Sequence, residues 1–286
     1  MTDPISALEG ANDDHARAEG EIRSDGRIID LSVIAICIDP DAPILDRFLS
    51  SLRQYTTVEY ELILIDNGGT DAGVSARLAS EADRYLRIEE RVSVAAAWNR
   101  GLGLAAGRYV LITNDDVVVP RRWFEEMRDV FVTHRTAGLV VPLMNHAVPE
   151  QRPRVDISHV DTAGPVALAR FRQFIWGAFM LFSRDALVRV GGFTDAFAIA
   201  GGEDLDICFK LYEADRDVYV QHRVFVYHEW GSTGLRLLGA ARRRELYEAN
   251  YVAFKARWYR YTKDWDRPPS CLRRWLSALG LPPSRA

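Results

Sequence analysis

Three short stretches hold the side chains best suited to chemistry. The first is Asn114-Asp115-Asp116, which interrupts the apolar run "GRYVLITNDDVVVP". Adjacent carboxylates at the tip of a buried strand suit a hard divalent cation, which prefers oxygen ligands. Asn and Asp are also common turn residues, so the trio alone supports a metal site and a turn equally. The second is "GGEDLDIC", where Glu203, Asp204 and Asp206 follow Gly201 and Gly202. Acids in the first turn of a helix are stabilised by the macrodipole. Two adjacent acids behind a glycine pair also suit a general base on a flexible rim. The third is His228 in "YHEWGSTG", at the end of an apolar strand beside Gly231, Ser232 and Thr233. A histidine there is either a satisfied structural residue or a ligand.

Other chemistries find no template. There is no G-x-x-x-x-G-K-[ST] phosphate loop and no G-x-S-x-G elbow. Gly101, Gly103 and Gly107 resemble a dinucleotide fingerprint, but they precede a strand instead of following one. Cys37, Cys208 and Cys271 are too few and too far apart for a disulfide framework or a zinc knuckle.

The elements around these residues follow from hydrophobic periodicity. Strands are predicted over 31–38, 61–65 (ending at Asp66), 86–88, 108–113 and 138–142. Helices are predicted between them over 44–55, 71–84, 94–106 and 122–133. Strand and helix in alternation mark an open, mostly parallel sheet covered by helices. Ligands bind at the carboxyl ends of such strands, which is where Asp66 and the 114–116 trio fall. Beyond Pro142 the pattern loosens. A loop is predicted over 143–170, a long apolar strand over 171–182, and a short helix from Ser183 to 190. Gly191-Gly192 and Gly201-Gly202 bracket a loop expected to be mobile. A helix over 203–213, a strand over 218–227 and a long helix over 235–261 complete the chain.

Charge divides the sequence further. The 286 residues carry a net charge of −4, which gives no general attraction to nucleic acid. Residues 1–30 hold eight acids against three bases and read as a disordered acidic tail. From Arg236 onward there are twelve bases and four acids, interleaved with aromatic residues. That tail suits phosphates or a membrane surface, and equally a helix with a solvated basic face. The polar, acidic start is unlike a secretory signal, and the apolar runs are too short to span a bilayer. The expected location is cytoplasmic, with peripheral membrane contact.

Taken in order, the segments resemble family 2 glycosyltransferases of the GT-A fold. "LSVIAICID" resembles the opening strand, and "YELILIDNGGTDAG" the nucleotide-side turn. "SVAAAWNRGLGLAAGRYVLITNDDVVV" resembles the stretch that carries the metal motif. "WGAFMLFSRDALVRVGGFTDAF", "GGEDLDICFKL" and "HEWGST" resemble the acceptor segment, the Glu-Asp motif and the closing histidine. The likeness covers about residues 31 to 260. It implies a nucleotide-binding half over 31–142, an acceptor half over 143–235 and a basic helical extension over 236–286.

The resemblance also implies roles. Asp66, with Asn67, Arg91, Asn99 and Asp115, would contact the nucleotide. Asp116, His228 and Asn114 would face a divalent metal, Mn²⁺ or Mg²⁺. Asp204 would be the general base, with Glu203 beside it. Trp176, Gly177 and Gly202 would line the sugar and acceptor pocket. Asn114 stands where the Asp-x-Asp form of the motif has its first carboxylate. Arg91 and Ser93 replace the usual Asn and Gly, which sets Arg91 toward a phosphate. The implied reaction is inverting transfer from a nucleotide-diphosphate sugar to a glycan, lipid-linked or small-molecule hydroxyl, with duplex DNA disfavoured. A metal-dependent phosphoesterase and a catalytically silent nucleotide-sugar-binding protein are the alternatives.

Overall fold

β1 (Leu31–Cys37) and β2 (Tyr60–Asn67) are buried almost end to end, as apolar strands are when helices cover both faces of a sheet. The computed structural model of the chain describes residues 29–68, 71–153, 164–229 and 232–265. Most of the predicted acidic tail, Cys271 and the far end of the basic tail lie outside the described residues, as do Trp230 and Gly231.

The first half builds as the periodicity predicts. Helix α1 (Ala42–Tyr55) starts where the Asp41 carboxylate accepts from the Ile44 N–H, with a proline in its first turn. β2 leads through the Asp71 cap into α2 (Ala72–Glu81), then β3 (Arg84–Ile88). Ser93 caps α3 (Val94–Leu102), which leads to β4 (Tyr109–Asn114). The trio then passes into a two-residue strand, β5 (Val117–Val118), followed by α4 (Trp123–Thr133) and β6 (Ala137–Met144). The predicted second helix thus ends three residues early, because Arg84 already pairs in β3. The third ends at Leu102, before its predicted limit.

The second half departs more. Within 143–170, β6 runs on to Met144, and a short edge strand β7 (Val166–Ala167) pairs with β9. The strand predicted over 171–182 is only β8 (Phe179–Ser183). Phe171 has a positive φ of 56°, and the residues between it and β8 turn. Phe174, Ile175 and Trp176 are apolar because they are buried, not because they pair. Ser183 caps α5 (Arg184–Arg189) as expected. Helix α6 (Glu203–Glu213) matches its prediction, and β9 (Asp217–His228) extends its own by a residue at each end. The last predicted helix is α7 (Ser232–Arg257), broken at Gly239 by a φ of +69°, and then α8 (Tyr259–Thr262).

The strand order is β3-β2-β1-β4-β8-β6-β9-β5, with β7 also on β9. β1 pairs in parallel with both β2 and β4, so Cys37 lies opposite Asp66, and Ile36 opposite Asn114. β8 enters antiparallel between β4 and β6. The sheet is therefore mostly parallel with one reversed strand near its centre, the mixed α/β arrangement of the GT-A fold. The expected C-terminal helical part is present as α7 and α8, and it packs on the core. Phe254 is fully buried in the common core, and Trp258 nearly so. Much of its basic character is matched: Arg242 pairs with Glu245, Arg244 with Glu248, Arg257 with Asp206 and Arg260 with Glu213. Among the described residues no helix is long and apolar enough to cross a membrane.

The N-terminal ends of the strands are locked by a buried acid. Glu61 accepts from the Ser32 hydroxyl at 2.6 Å, the Ala106 N–H at 2.7 Å and Arg84 Nε at 2.9 Å. The Ser32 oxygen in turn accepts the Gly107 N–H at 2.8 Å. A Cβ on Gly107 would lie 2.4 Å from the Ser32 backbone nitrogen, and backbone cannot yield as a side-chain tip does. Gly107→Ala is expected to cost about 1–3 kcal/mol, the usual range for overpacking. It should lower the urea midpoint at an unchanged m-value; an unaltered midpoint would contradict the close approach.

Candidate active site

The carboxyl tips of β2, β1 and β4 lie side by side and carry residues expected on the donor side. At the first tip Asp66 is 1% exposed. Its Oδ2 accepts from Ser75 at 2.7 Å and from the Tyr85 hydroxyl at 2.8 Å, with Arg87 at 3.9 Å. Asn67 exchanges both its amide bonds with the Val92 backbone, at 3.0 and 3.1 Å. Arg91 reaches back to the carbonyls of Asn67 and Gly68. These two residues close the loop after β2 onto the segment before α3. Arg91 nevertheless stays exposed at the rim. At the second tip the Cys37 thiol is fully buried, and its pKa is pushed well up by burial, then by the charge and hydrogen bond of Asp115. It is therefore a protonated donor aimed at Asp115. Asn99, expected at the nucleotide, spends both its groups elsewhere: it donates to the Phe193 carbonyl at 2.7 Å and accepts the Phe193 N–H at 2.9 Å.

The expected metal residues do converge. β5 and β9 pair so that Val117 lies opposite His228, and the Glu229 N–H bonds the Asp116 carbonyl at 2.9 Å. Asp116 Oδ1 and His228 Nε2 come within 3.1 Å, and Asn114 Nδ2 lies 3.4 Å from the same ring nitrogen. The Asp116 contact is one of proximity without hydrogen-bond geometry, so the buried Oδ1 has no hydrogen bond, nor has His228 Nδ1. Neighbouring ligands on an octahedral cation with bonds of about 2.1 Å stand about 3 Å apart. Among the described residues no three His, Cys, Asp or Glu side chains cluster as a complete cage. A Mg²⁺-like ion needs none, since it is held by one or two carboxylates with phosphate oxygens and water. The set fits a cation shared with a phosphate ligand.

The acid pair lies on the other side of the reversed strand. Glu203 and Asp204 open α6 and are each 7% exposed. Asp204 accepts from the Leu205 N–H at 2.9 Å and the Gly177 N–H at 3.3 Å. Next along the chain, the Ala178 carbonyl accepts from the Asn114 N–H at 3.2 Å and the Thr113 hydroxyl at 3.0 Å. The dipeptide Gly177-Ala178 therefore joins the acid pair to the metal-side cluster. Trp176 is set by Gln151, whose side-chain oxygen takes its N–H at 2.5 Å. Asp206 does not face this pocket. It is fully buried, accepts from Trp258 Nε1 at 2.7 Å and pairs with Arg257, whose Nε lies 2.8 Å away.

The loop expected to be mobile is tied at several points. The Ile199 carbonyl accepts from the Val94 N–H, Ser93 bonds Asp195, and Lys210 bonds the Gly192 carbonyl. Gly201 and Gly202 have φ of +96° and +113°, which only glycine adopts without strain. Three amides without a sequence signature do further anchoring: Gln151; Asn145, which bonds both the N–H and carbonyl of His228; and Asn250, which bonds Ala198 and Ala200. No spacing rule singles any of them out in the sequence.

Three comparisons place the chain among known proteins. The family model described as Glycosyl transferase family 2 matches residues 32–191. The chain is 26% identical over 208 residues to pre-mycofactocin glycosyltransferase of Mycobacterium tuberculosis, covering 68% of this chain and 42% of that protein. It is 25% identical over 220 residues to protein y4gI of Sinorhizobium fredii, covering 71% of this chain and 22% of that one. The chain thus spans less than half the length of these curated relatives. The crystal structure of GalNAc-T7 with UDP, GalNAc and Mn²⁺ superposes with a TM-score of 0.58 at 17% identity, over 88% of this chain and 55% of that one. That likeness speaks for the fold.

The acid pair makes a pH signature. Burial pushes both carboxyls up; the charge of Asp204 pushes Glu203 further, while backbone N–H groups restrain Asp204. A carboxyl raised in the fold keeps a proton that the unfolded chain releases. Stability is then lost as pH rises from the ordinary value near 4.5 through the raised one. Glu203→Gln is expected to melt above wild type at pH 8 and with it at pH 4. Melting no higher than wild type at pH 8 would remove the buried-acid account.

Proposed function

The chain belongs to glycosyl transferase family 2, and from that premise we propose that it transfers a sugar, with inversion, from a nucleotide-diphosphate donor to an acceptor hydroxyl. One observation carries the reading. Gly177-Ala178 links the metal-type cluster of Asp116, His228 and Asn114 to the buried acids Glu203 and Asp204.

On this reading the nucleotide lies across the tips of β2, β1 and β4. Asp66 faces the base, braced by Ser75, Tyr85 and Arg87. Asp115 lies toward the ribose, and Arg91 at the rim toward the phosphates. Asn67 and Asn99 shape the walls instead of touching the ligand. A divalent cation, Mn²⁺ or Mg²⁺, held by Asp116 and His228, with Asn114 turned to offer its amide oxygen, would supply positive charge to the departing diphosphate. Trp176, Gly177 and Gly202 border the sugar and the acceptor.

The acids then divide the labour. Burial raises both carboxyls and the charge of Asp204 raises Glu203 further, so on this reading Glu203 carries the proton and Asp204 the charge. Asp204 stays ionised, held by two backbone N–H groups, with a basicity lifted toward the working range. It takes the acceptor's hydroxyl proton as that oxygen bonds the anomeric carbon. The bond to the diphosphate breaks on the opposite face, so configuration inverts. A glycan, a lipid-linked glycan or a small-molecule hydroxyl fits this chemistry as acceptor.

Two variants test the halves separately. Asp204→Asn should lower turnover about 10²–10⁴-fold, the usual loss for a general base, while UDP or GDP binding with Mn²⁺ is unchanged. Turnover within threefold of wild type would return Asp204 to a helix-start acid. Asp116→Ala should abolish the Mn²⁺-dependent part of the thermal shift produced by the same nucleotides. A full metal-dependent shift in that variant would exclude Asp116 as a ligand.

A further inference from the structure

The family match ends at residue 191, before Glu203, and α7 lies wholly beyond it. Yet α7 grips the acid pair's helix from three sides. In front, Asn250, 3% exposed, accepts the Ala198 N–H at 2.9 Å and donates to the carbonyls of Ala198 and Ala200 at 3.0 and 3.1 Å. One amide thus fixes the strand of loop that leads into Gly201-Gly202. Beside it, the Tyr247 ring covers Gly201 so closely that a Cβ there would sit 2.3 Å from the ring. Burial foremost, opposed by Arg243 and reinforced by the charges of Glu203 and Asp204, pushes the Tyr247 hydroxyl up to about 12. Behind, Arg257 and Trp258 hold Asp206. Between these points Phe254 packs edge-on against Phe209 of α6, with ring centres 5.0 Å apart.

We infer that Asn250 and Tyr247 are positioning residues for the Glu203-Asp204 pair, so that the C-terminal helix is a working wall of the site. The physical need is plain. Gly201 and Gly202 hold left-handed conformations that nothing in their own side chains stabilises. The first turn of α6 has no side-chain cap. A base must be held within a few tenths of an ångström of its proton, and a misplacement of about 1 Å costs on the order of 10²-fold in rate. The amide of Asn250 and the ring of Tyr247 supply the constraint that the glycines lack. The inference rests on Asp204 as the base, but its hold on the loop is measurable without turnover.

The first test uses the wild type. Native-state hydrogen exchange against urea should show the amides of 198–205 and of 243–254 opening together, as one cooperative unit. Loop amides that open independently of α7 would overturn the inference. The second uses Asn250→Ala and the milder Asn250→Ser. With UDP-sugars as donors, turnover should fall about tenfold or more, while Mn²⁺-supported UDP binding stays within twofold and 198–202 loses protection. A folded variant with wild-type turnover, or one that loses donor binding and turnover in equal measure, would also overturn it. Asp204→Asn separates the failures. If that variant keeps its turnover, the base assignment falls while the exchange result still decides whether α7 holds the loop.

Discussion

The active-site geometry hangs on Gly177 and Ala178. One donates its N–H to Asp204, and the other lends its carbonyl to Asn114 and Thr113. This contact exists because β8 runs against β4. In a parallel sheet, the residues that reach the carboxyl edge are those that follow each strand. An antiparallel strand delivers the residues that precede it. Trp176, Gly177 and Ala178 arrive from that side and meet the tip of β4. Gly177 also has to be small, since a Cβ would stand 3.1 Å from that of Asp204. Reversing one strand is thus what brings an acid on a distant helix within reach of a cluster at a strand tip.

The same edge concentrates electrostatic cost. Asp66, Glu203 and Asp204 are nearly excluded from water, and burial penalises the charged form of each. The chain compensates them differently. Asp66 collects hydroxyl donors and a guanidinium. Asp204 collects backbone N–H groups at a helix start. Glu203 receives less and has the charge of Asp204 beside it, so its carboxyl is raised. Asp116 and His228 are left with buried atoms that make no hydrogen bond. Uncompensated groups at one edge, beside two glycines with positive φ, are the local departures from stability that functional sites carry.

Much of this was legible in sequence, and the reasons are specific. The strands of the first half announce themselves as unbroken apolar runs, and Asp71, Ser93 and Ser183 mark helix starts through their own cap bonds. The acid at the head of α6 and the histidine at the end of β9 stand at boundaries that composition alone locates. The segment 171–178 reads as strand because burial in an irregular turn and burial in a strand select the same residues. That Asn99 clamps Phe193 is not legible, since a sequence does not reveal which backbone an amide meets. The basic tail looked like a separate surface because ion pairs such as Arg257 with Asp206, 51 positions apart, leave no local pattern.

The two halves of the site are also less separate than their order along the chain suggests. α3 begins on the donor side, and its first N–H bonds Ile199 in the loop that leads to the acids. Ser93, its cap, bonds Asp195 in that loop, and Asn99 fixes Phe193. The far side of the loop is held by α7. The acid pair is therefore suspended between a helix of the family's matched segment and one outside it. A change on α3 would be felt at the loop that leads to the acids, because Val94, Ser93 and Asn99 all bond it. A change on the inner face of α7 reaches only the acid side. Asn250 and Tyr247 meet the loop at Ala198, Ala200 and Gly201, on the side away from α3.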